Sequence, residues 1–213
     1  MRKIFFMAVV ALIMSVQSLC GAAAINEAYL NGEENLKYPV VQTGNAAIDK
    51  KINAVIAAEV DHFVTDVYGR LHYDERDSLR FIDTGYTVAC NEAGGKKILS
   101  IIIGESYCYM RAPHPAYIRR AFNFNTATGE LIDKSQLPNM VGNVSESNLL
   151  DKLTQKLREH CESKSINLYH DALPLKELRK DFYWDENLHV HFIFQSYDVT
   201  SYGYGIIDID IDA

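Results

Sequence analysis

The sequence predicts an α+β fold: an antiparallel sheet in two parts, with amphipathic helices packed on it. Three observations predict it. Two stretches carry apolar residues at three- and four-residue steps, and the middle of the chain is rich in Ile, Val, Tyr and Phe between turn signals. The C-terminal third repeats that strand-like pattern in shorter pieces. Strands that follow one another directly, with helices before and between the groups, mark the α+β class rather than a parallel α/β sheet.

The first strand is expected over residues 36–41, before a turn through Thr43, Gly44 and Asn45. Asn45 suits a helix N-cap, because its short side chain can accept from the free amides of the first turn. Beyond it Ile48, Ile52, Val55, Ile56, Val60, Phe63 and Val67 recur at helical steps, so a helix over 45–68 ends near Gly69. Its apolar stripe needs a sheet to cover. Residues 79–91, 97–110 and 116–124 supply that sheet, with turn chemistry at Asn91-Glu92-Ala93-Gly94-Gly95. A second turn, Asn125 to Gly129, leads into a fourth antiparallel strand at Glu130-Leu131-Ile132.

A second helix over 144–162 is expected to start at Asn143, with Glu146 three residues on completing a capping box. Leu149, Leu150, Leu153, Leu157 and Cys161 form its apolar face. Pro174 predicts a short helix over 175–180. Three more strands follow at 181–184, 188–194 and 204–212.

The N-terminus reads as an export signal over residues 1–24. Arg2 and Lys3 precede an apolar run from Ile4 to Val16 and the small residues Cys20-Gly21-Ala22-Ala23-Ala24. The run is shorter than the roughly 20 residues a membrane-spanning helix needs, so no span is expected after processing. Loss of Arg2 and Lys3 takes the net charge from −7 to −9. So acidic a domain argues against nucleic acid or anionic lipid as partner and suits a basic one. Three cysteines survive processing, and an odd count in an oxidising compartment leaves at least one unpaired. Cys161 sits at helical spacing with leucines and reads as a buried apolar residue. Cys90 and Cys108 fall at opposite ends of a predicted hairpin and do not suit a bridge.

Leu188-His189-Val190-His191-Phe192 and Ile207-Asp208-Ile209-Asp210-Ile211 carry the most suggestive chemistry. Period-two alternation puts both histidines on one strand face and both aspartates on another. With Phe192 opposite Ile207, His191 would lie opposite Asp208 and His189 opposite Asp210. These four are plausible zinc ligands; they are equally the wet face of an ordinary half-buried sheet. His114, between Pro113 and Pro115, is an ordered loop histidine, and Tyr197, Tyr202 and Tyr204 cluster on the loop from Gln195 to Gly205. Tyr107, Tyr109 and Tyr117 flank the His114 loop. Tyrosine can stack on a sugar or anchor a protein contact. No nucleophile elbow, phosphate loop or zinc-spaced cysteine pair is present, so no catalytic residues and no cofactor are expected.

The ordered pieces resemble a tandem of extracytoplasmic domains, the PdaC-like and RsiV-like family. The resemblance is carried by Tyr38-Pro39-Val40-Val41, Ile52-Asn53-Ala54-Val55-Ile56, Ile98-Leu99-Ser100-Ile101, His114-Pro115 and Phe122-Asn123-Phe124-Asn125 leading into Thr128-Gly129-Glu130. It continues through Phe182-Tyr183-Trp184, Leu188 to Phe192, Tyr197-Asp198-Val199 and Gly205. Ala112-Pro113-His114 stands where the family shows Gly-Ala-His, and Ser196-Tyr197 where it commonly has Pro-Tyr. The resemblance implies a PdaC-like part over 25–110 and an RsiV-like part over 111–213. Neither the family's deacetylase domain nor a segment ahead of the apolar run to hold a sigma factor is expected in this chain. It implies instead a free-standing, exported, non-catalytic envelope module recognising a protein such as lysozyme, or peptidoglycan glycan. The alternative is a metal-dependent hydrolase built on the His–Asp face.

Overall fold

The computed structural model describes residues 22–70 and 79–212. The export signal expected over 1–24 therefore lies almost wholly outside the described residues, Cys20 included. In chain order the elements are β1 (Ala24–Tyr29), β2 (Lys37–Gln42), α1 (Ala46–Gly69), β3 (Leu79–Asn91), β4 (Ile98–Tyr109) and β5 (Ala116–Asn125). Then come α2 (Leu137–Met140), α3 (Glu146–Ser163), β6 (Phe182–Trp184), β7 (Val190–Phe194) and β8 (Ile207–Asp210). The fold is α+β, as the sequence predicts.

Among the described residues the strands form three antiparallel sheets, β1-β2, β3-β4-β5 and β6-β7-β8. Helix α1 starts where Asn45 accepts from the amides of Ala47 and Ile48, and its apolar stripe follows from the sequence spacing. Ile52, Ile56 and Val60 pack with Val41 and with Leu99, Ile101, Ile103 and Phe124 of the central sheet. Further along, Phe63 and Val67 close over Leu36 and Ile82. Helix α3 buries Leu149, Leu153, Leu157 and Cys161 in a second core with Phe182, Phe192, Phe194, Ile207 and Ile209. Strand β5, just after the expected division at 110/111, pairs with β4 from Ala116 opposite Tyr107 to Asn125 opposite Ile98.

The two larger sheets meet at a small apolar contact of Ile102, Tyr183 and Ile193 and a buried polar relay. Ser100 donates its hydroxyl to Asn123 Oδ1 (2.6 Å), and Asn123 Nδ2 donates to the Phe182 backbone carbonyl (2.6 Å). The Trp184 amide donates back to Ser100 Oγ (3.1 Å). Buried polar groups need such partners, so this relay fixes where β6 docks. The outer edge of β5 is closed by side chains. The Gln195 amide accepts from Arg119 N (3.0 Å) and donates to Arg119 O (2.6 Å), while Asp181 Oδ1 accepts from Ala121 N (3.2 Å).

Several expected elements differ. Residues 130–132 make an isolated bridge, Leu131 to Phe124, and not a fourth strand, because Asp181 and Gln195 occupy the rest of that edge. Strand β1 was not expected at all. The cap of α3 is Ser145, whose hydroxyl accepts from Asn148 N; Asn143 has φ +55°, whereas an N-cap needs extended backbone. Residues 175–180 form no helix. Their backbone is engaged elsewhere, with Leu175 N donating to Thr154 Oγ1 and the Leu178 carbonyl accepting from Lys134. The last strand is shorter than 204–212, because a 3₁₀ turn at Tyr202–Tyr204 and Gly205 at φ +72° hold the chain out of the sheet until Ile207. Cys90, Cys108 and Cys161 are buried and unpaired, the first two opposite Ser100 and Phe81 at different ends of the β3–β4 hairpin.

Candidate functional site

Two clusters gather the residues that the sequence singles out. The first is the His–Asp face of the third sheet. The strands pair two residues away from the expected register, with His191 opposite Asp210, Ile193 opposite Asp208 and Phe194 opposite Ile207. A shift of two keeps every side chain on its face, so alternation cannot distinguish the registers. The same pairs nonetheless meet along the diagonal. His191 Nδ1 lies 3.0 Å from Asp208 Oδ1 and His189 Nδ1 3.1 Å from Asp210 Oδ2, since diagonal neighbours are within reach of long side chains.

Most polar atoms of this cluster are paired within it, the exception being His191 Nε2, which is buried without a hydrogen-bond partner. Asp208 Oδ2 also accepts from Tyr183 OH (2.9 Å) and Arg119 Nη1 (3.1 Å), and the Tyr183 ring stacks on His191 at 4.6 Å. Burial would raise Asp208, but its bonds to His191 and Tyr183 and the Arg119 charge outweigh it and hold the carboxyl below the usual range. Burial pulls His191 down, yet the Asp208 bond and charge, with Asp210 and Asp185, raise it above an ordinary imidazole. Tyr183 is pushed well above the phenol range by burial first and then by Asp208. Among the described residues no three His, Cys, Asp or Glu side chains are placed to hold a metal ion. A cation at Asp208 would have to compete with Arg119.

The second cluster joins the His114 loop to the loop after β7. His114 Nδ1 lies 2.9 Å from the Pro115 carbonyl. A carbonyl only accepts, so Nδ1 donates to it, and Nε2 lies 2.9 Å from the Tyr197 hydroxyl. Tyr202 stacks on the imidazole at 3.6 Å between ring centres and 19° between planes, and its hydroxyl donates to Pro115 O (2.9 Å). Tyr197 stands 5.8 Å from Tyr202 between centroids. It is 54% exposed and holds φ +72°, a left-handed conformation rare for a large side chain.

Three of the four predicted binding residues, His114, Tyr197 and Tyr202, therefore come together. Tyr204 does not join them; its hydroxyl accepts from Asn167 Nδ2 (3.3 Å). Of the flanking tyrosines, Tyr117 is exposed, whereas Tyr107 packs on both Phe63 and Tyr109. Sequence reasoning missed the supports of Tyr197. Asp198 accepts from Gln195 N (2.8 Å), its own amide donates to Gln195 O (3.0 Å), and it pairs with Arg179. Gln195 is in turn fixed to β5. Its place directly after a strand was the one available signal.

No protein-family model matches the sequence, and no curated protein does. Solved structures that share the architecture include two DUF3298 family proteins. One is a DUF3298 family member from Bacteroides fragilis NCTC 9343, with 18% identity and a TM-score of 0.51 over 89% of this chain and 88% of that one. The other is a DUF3298 family protein from Pseudomonas aeruginosa PAO1, with 10% identity and a TM-score of 0.50 over 91% of this chain and 90% of that one. At such identities the likeness is one of fold. Among the described residues no helix is long and apolar enough to cross a membrane.

Proposed function

We propose that this chain is an exported, non-catalytic envelope module of the PdaC-like and RsiV-like kind, holding its ligand on the His114, Tyr197 and Tyr202 patch. The observation that carries the reading is Tyr197: a half-exposed aromatic in a left-handed backbone, with its hydroxyl fixed by His114. Such a conformation costs on the order of 1–3 kcal/mol, and strain of this kind gathers at binding sites. A ring already held in place loses little freedom on binding. The ligand class is a protein such as lysozyme, or peptidoglycan glycan. The net charge, −9 once Arg2 and Lys3 are removed from the stated −7, favours the basic protein, and the fold likeness to DUF3298 structures is compatible with a PdaC-like or RsiV-like module. The alternative, a metal-dependent hydrolase on the His–Asp face, has less support, because those carboxylates are engaged by Arg119, Tyr183 and the histidines.

The test is retention of the exported domain on immobilised lysozyme and on purified cell wall, each at two salt concentrations. Retention on one matrix is expected. Replacing both Tyr197 and Tyr202 by Ala should weaken it roughly tenfold or more with an unchanged thermal midpoint. Retention on neither matrix, or equal retention of the double variant, would remove the reading.

A further inference from the structure

Outside both clusters, one ring of charged groups holds two buried atoms without a hydrogen-bond partner, Glu105 Oε1 and Arg120 Nε. Glu105, on β4, is 3% exposed, and its Oε1 has no hydrogen-bond partner. It belongs to a ring of carboxyls around Arg120 of β5. Arg120 Nε lies 3.5 Å from Glu59 Oε1 on α1 and 3.9 Å from Glu105 Oε2, and Nη1 lies 3.4 Å from Asp181 Oδ2 just before β6. One cation thus faces acids from the helix, the central sheet and the third sheet. The nearby hydroxyl of Thr84, opposite Glu105, is committed to the Lys37 carbonyl (2.8 Å).

Three ionised carboxylates around one guanidinium would leave a surplus of two negative charges in a poorly solvated site. Buried charge without a partner is the costliest arrangement a fold can hold. A single proton on the most buried member removes half that surplus. Burial, followed by the charge of Glu59, pushes Glu105 up to about 8, against a smaller opposing pull from Arg120. The proton therefore resides on Glu105 at neutral pH.

We propose that Glu105 is a proton-operated latch at the joint between the central and third sheets. Protonated, it leaves Arg120 free to bind Glu59 and Asp181 together. Ionised, it draws Arg120 toward itself and off Asp181. Asp181 is the pivot, because its Oδ1 accepts from Ala121 N and its Oδ2 from Gln195 Nε2 at 3.3 Å. Gln195 opens the loop that carries Tyr197, so loosening at Asp181 travels toward the aromatic patch. The latch itself stands whatever that patch binds.

The test is a carbon and nitrogen NMR titration of the whole exported domain from about pH 6 to about pH 10. The Glu105 carboxyl carbon should titrate with a midpoint of about 8. The Ala121 backbone amide and the Gln195 side-chain amide should shift with that same midpoint, and lie flat in Glu105→Gln. An ordinary carboxylate midpoint for Glu105 would overturn the proposal, as would amides that ignore it. Should Glu105→Gln not fold, Glu59→Gln serves instead. It removes the neighbouring charge, so the midpoint must fall, and an unmoved midpoint would equally overturn the latch.

Discussion

Asp208 shows how one side chain can serve several elements. Its two oxygens take bonds from His191 on β7, Tyr183 on β6 and Arg119 on β5, so it links the third sheet to the central one. The alternation of Ile and Asp shows in sequence which face Asp208 occupies. The register and the distant Arg119 are invisible there, because a two-residue slip leaves the pattern unchanged. The electrostatics predict opposite pH limbs for the pair. Asp208 has a folded pKa below its unfolded one, so its contribution is present above the ordinary carboxylate range and is lost as pH falls through the lowered value. His191 has a raised folded pKa, so its contribution is present below the ordinary imidazole value and is lost as pH rises through the raised one. Asp208→Asn should lower stability near neutral pH by about 1–3 kcal/mol and shift the His191 titration downward, since burial then acts against fewer charges. A His191 midpoint that stays in place in the variant, followed by imidazole NMR, would show that Asp208 does not set it.

At the scale of elements, the apolar spacing of α1 and the long strands β3, β4 and β5 were legible, because each buries one face against one core. What escaped was β1, together with the side-chain amides that hold the strand edges. Asn53 on α1 brackets the edge of β2, accepting from Val41 N (2.7 Å) and donating to Val41 O (2.8 Å). Asn91 does the same for Ala23, at 3.1 and 2.8 Å. Gln195 repeats the device on Arg119. Such long-range amide brackets leave no periodic trace, so β1 was hidden behind small residues that read as the end of an export signal. The consequence is specific. Ala23 is buried in the first core and Ala24 pairs with Gln42, so a leader ending at Ala24 would strip both from the sheet. If a leader is removed, we expect it to end before Ala23, so that the intact mass of the processed protein begins at Ala22 or Ala23. A mass beginning at Ile25 would show that the fold does without these contacts.

For the whole molecule, the decisive feature is how two apolar cores are joined, the second of them reaching Cys90 and Ile98 of the central sheet. The first core gathers α1 on the β3-β4-β5 sheet, and the second gathers α3 on the β6-β7-β8 sheet. Between them stand Ile102, Tyr183 and Ile193, the Arg120 ring, and the relay of Ser100, Asn123, Phe182 and Trp184. Asn123 is the member whose loss leaves most undone. Asn123→Ala strands the Phe182 carbonyl and the Ser100 hydroxyl, each costing about 1–3 kcal/mol when buried unpaired. The expected loss is therefore about 2–4 kcal/mol, allowing for partial relaxation. Trp184, the chain's one tryptophan, lies at this joint and reports it by fluorescence, whereas far-ultraviolet circular dichroism reports both sheets. If the joint binds the cores into one cooperative unit, both signals move to lower urea together in the variant. A tryptophan transition that moves alone would show instead that the third sheet unfolds by itself. The Arg120 latch would then sit at a boundary between independent units, not inside one.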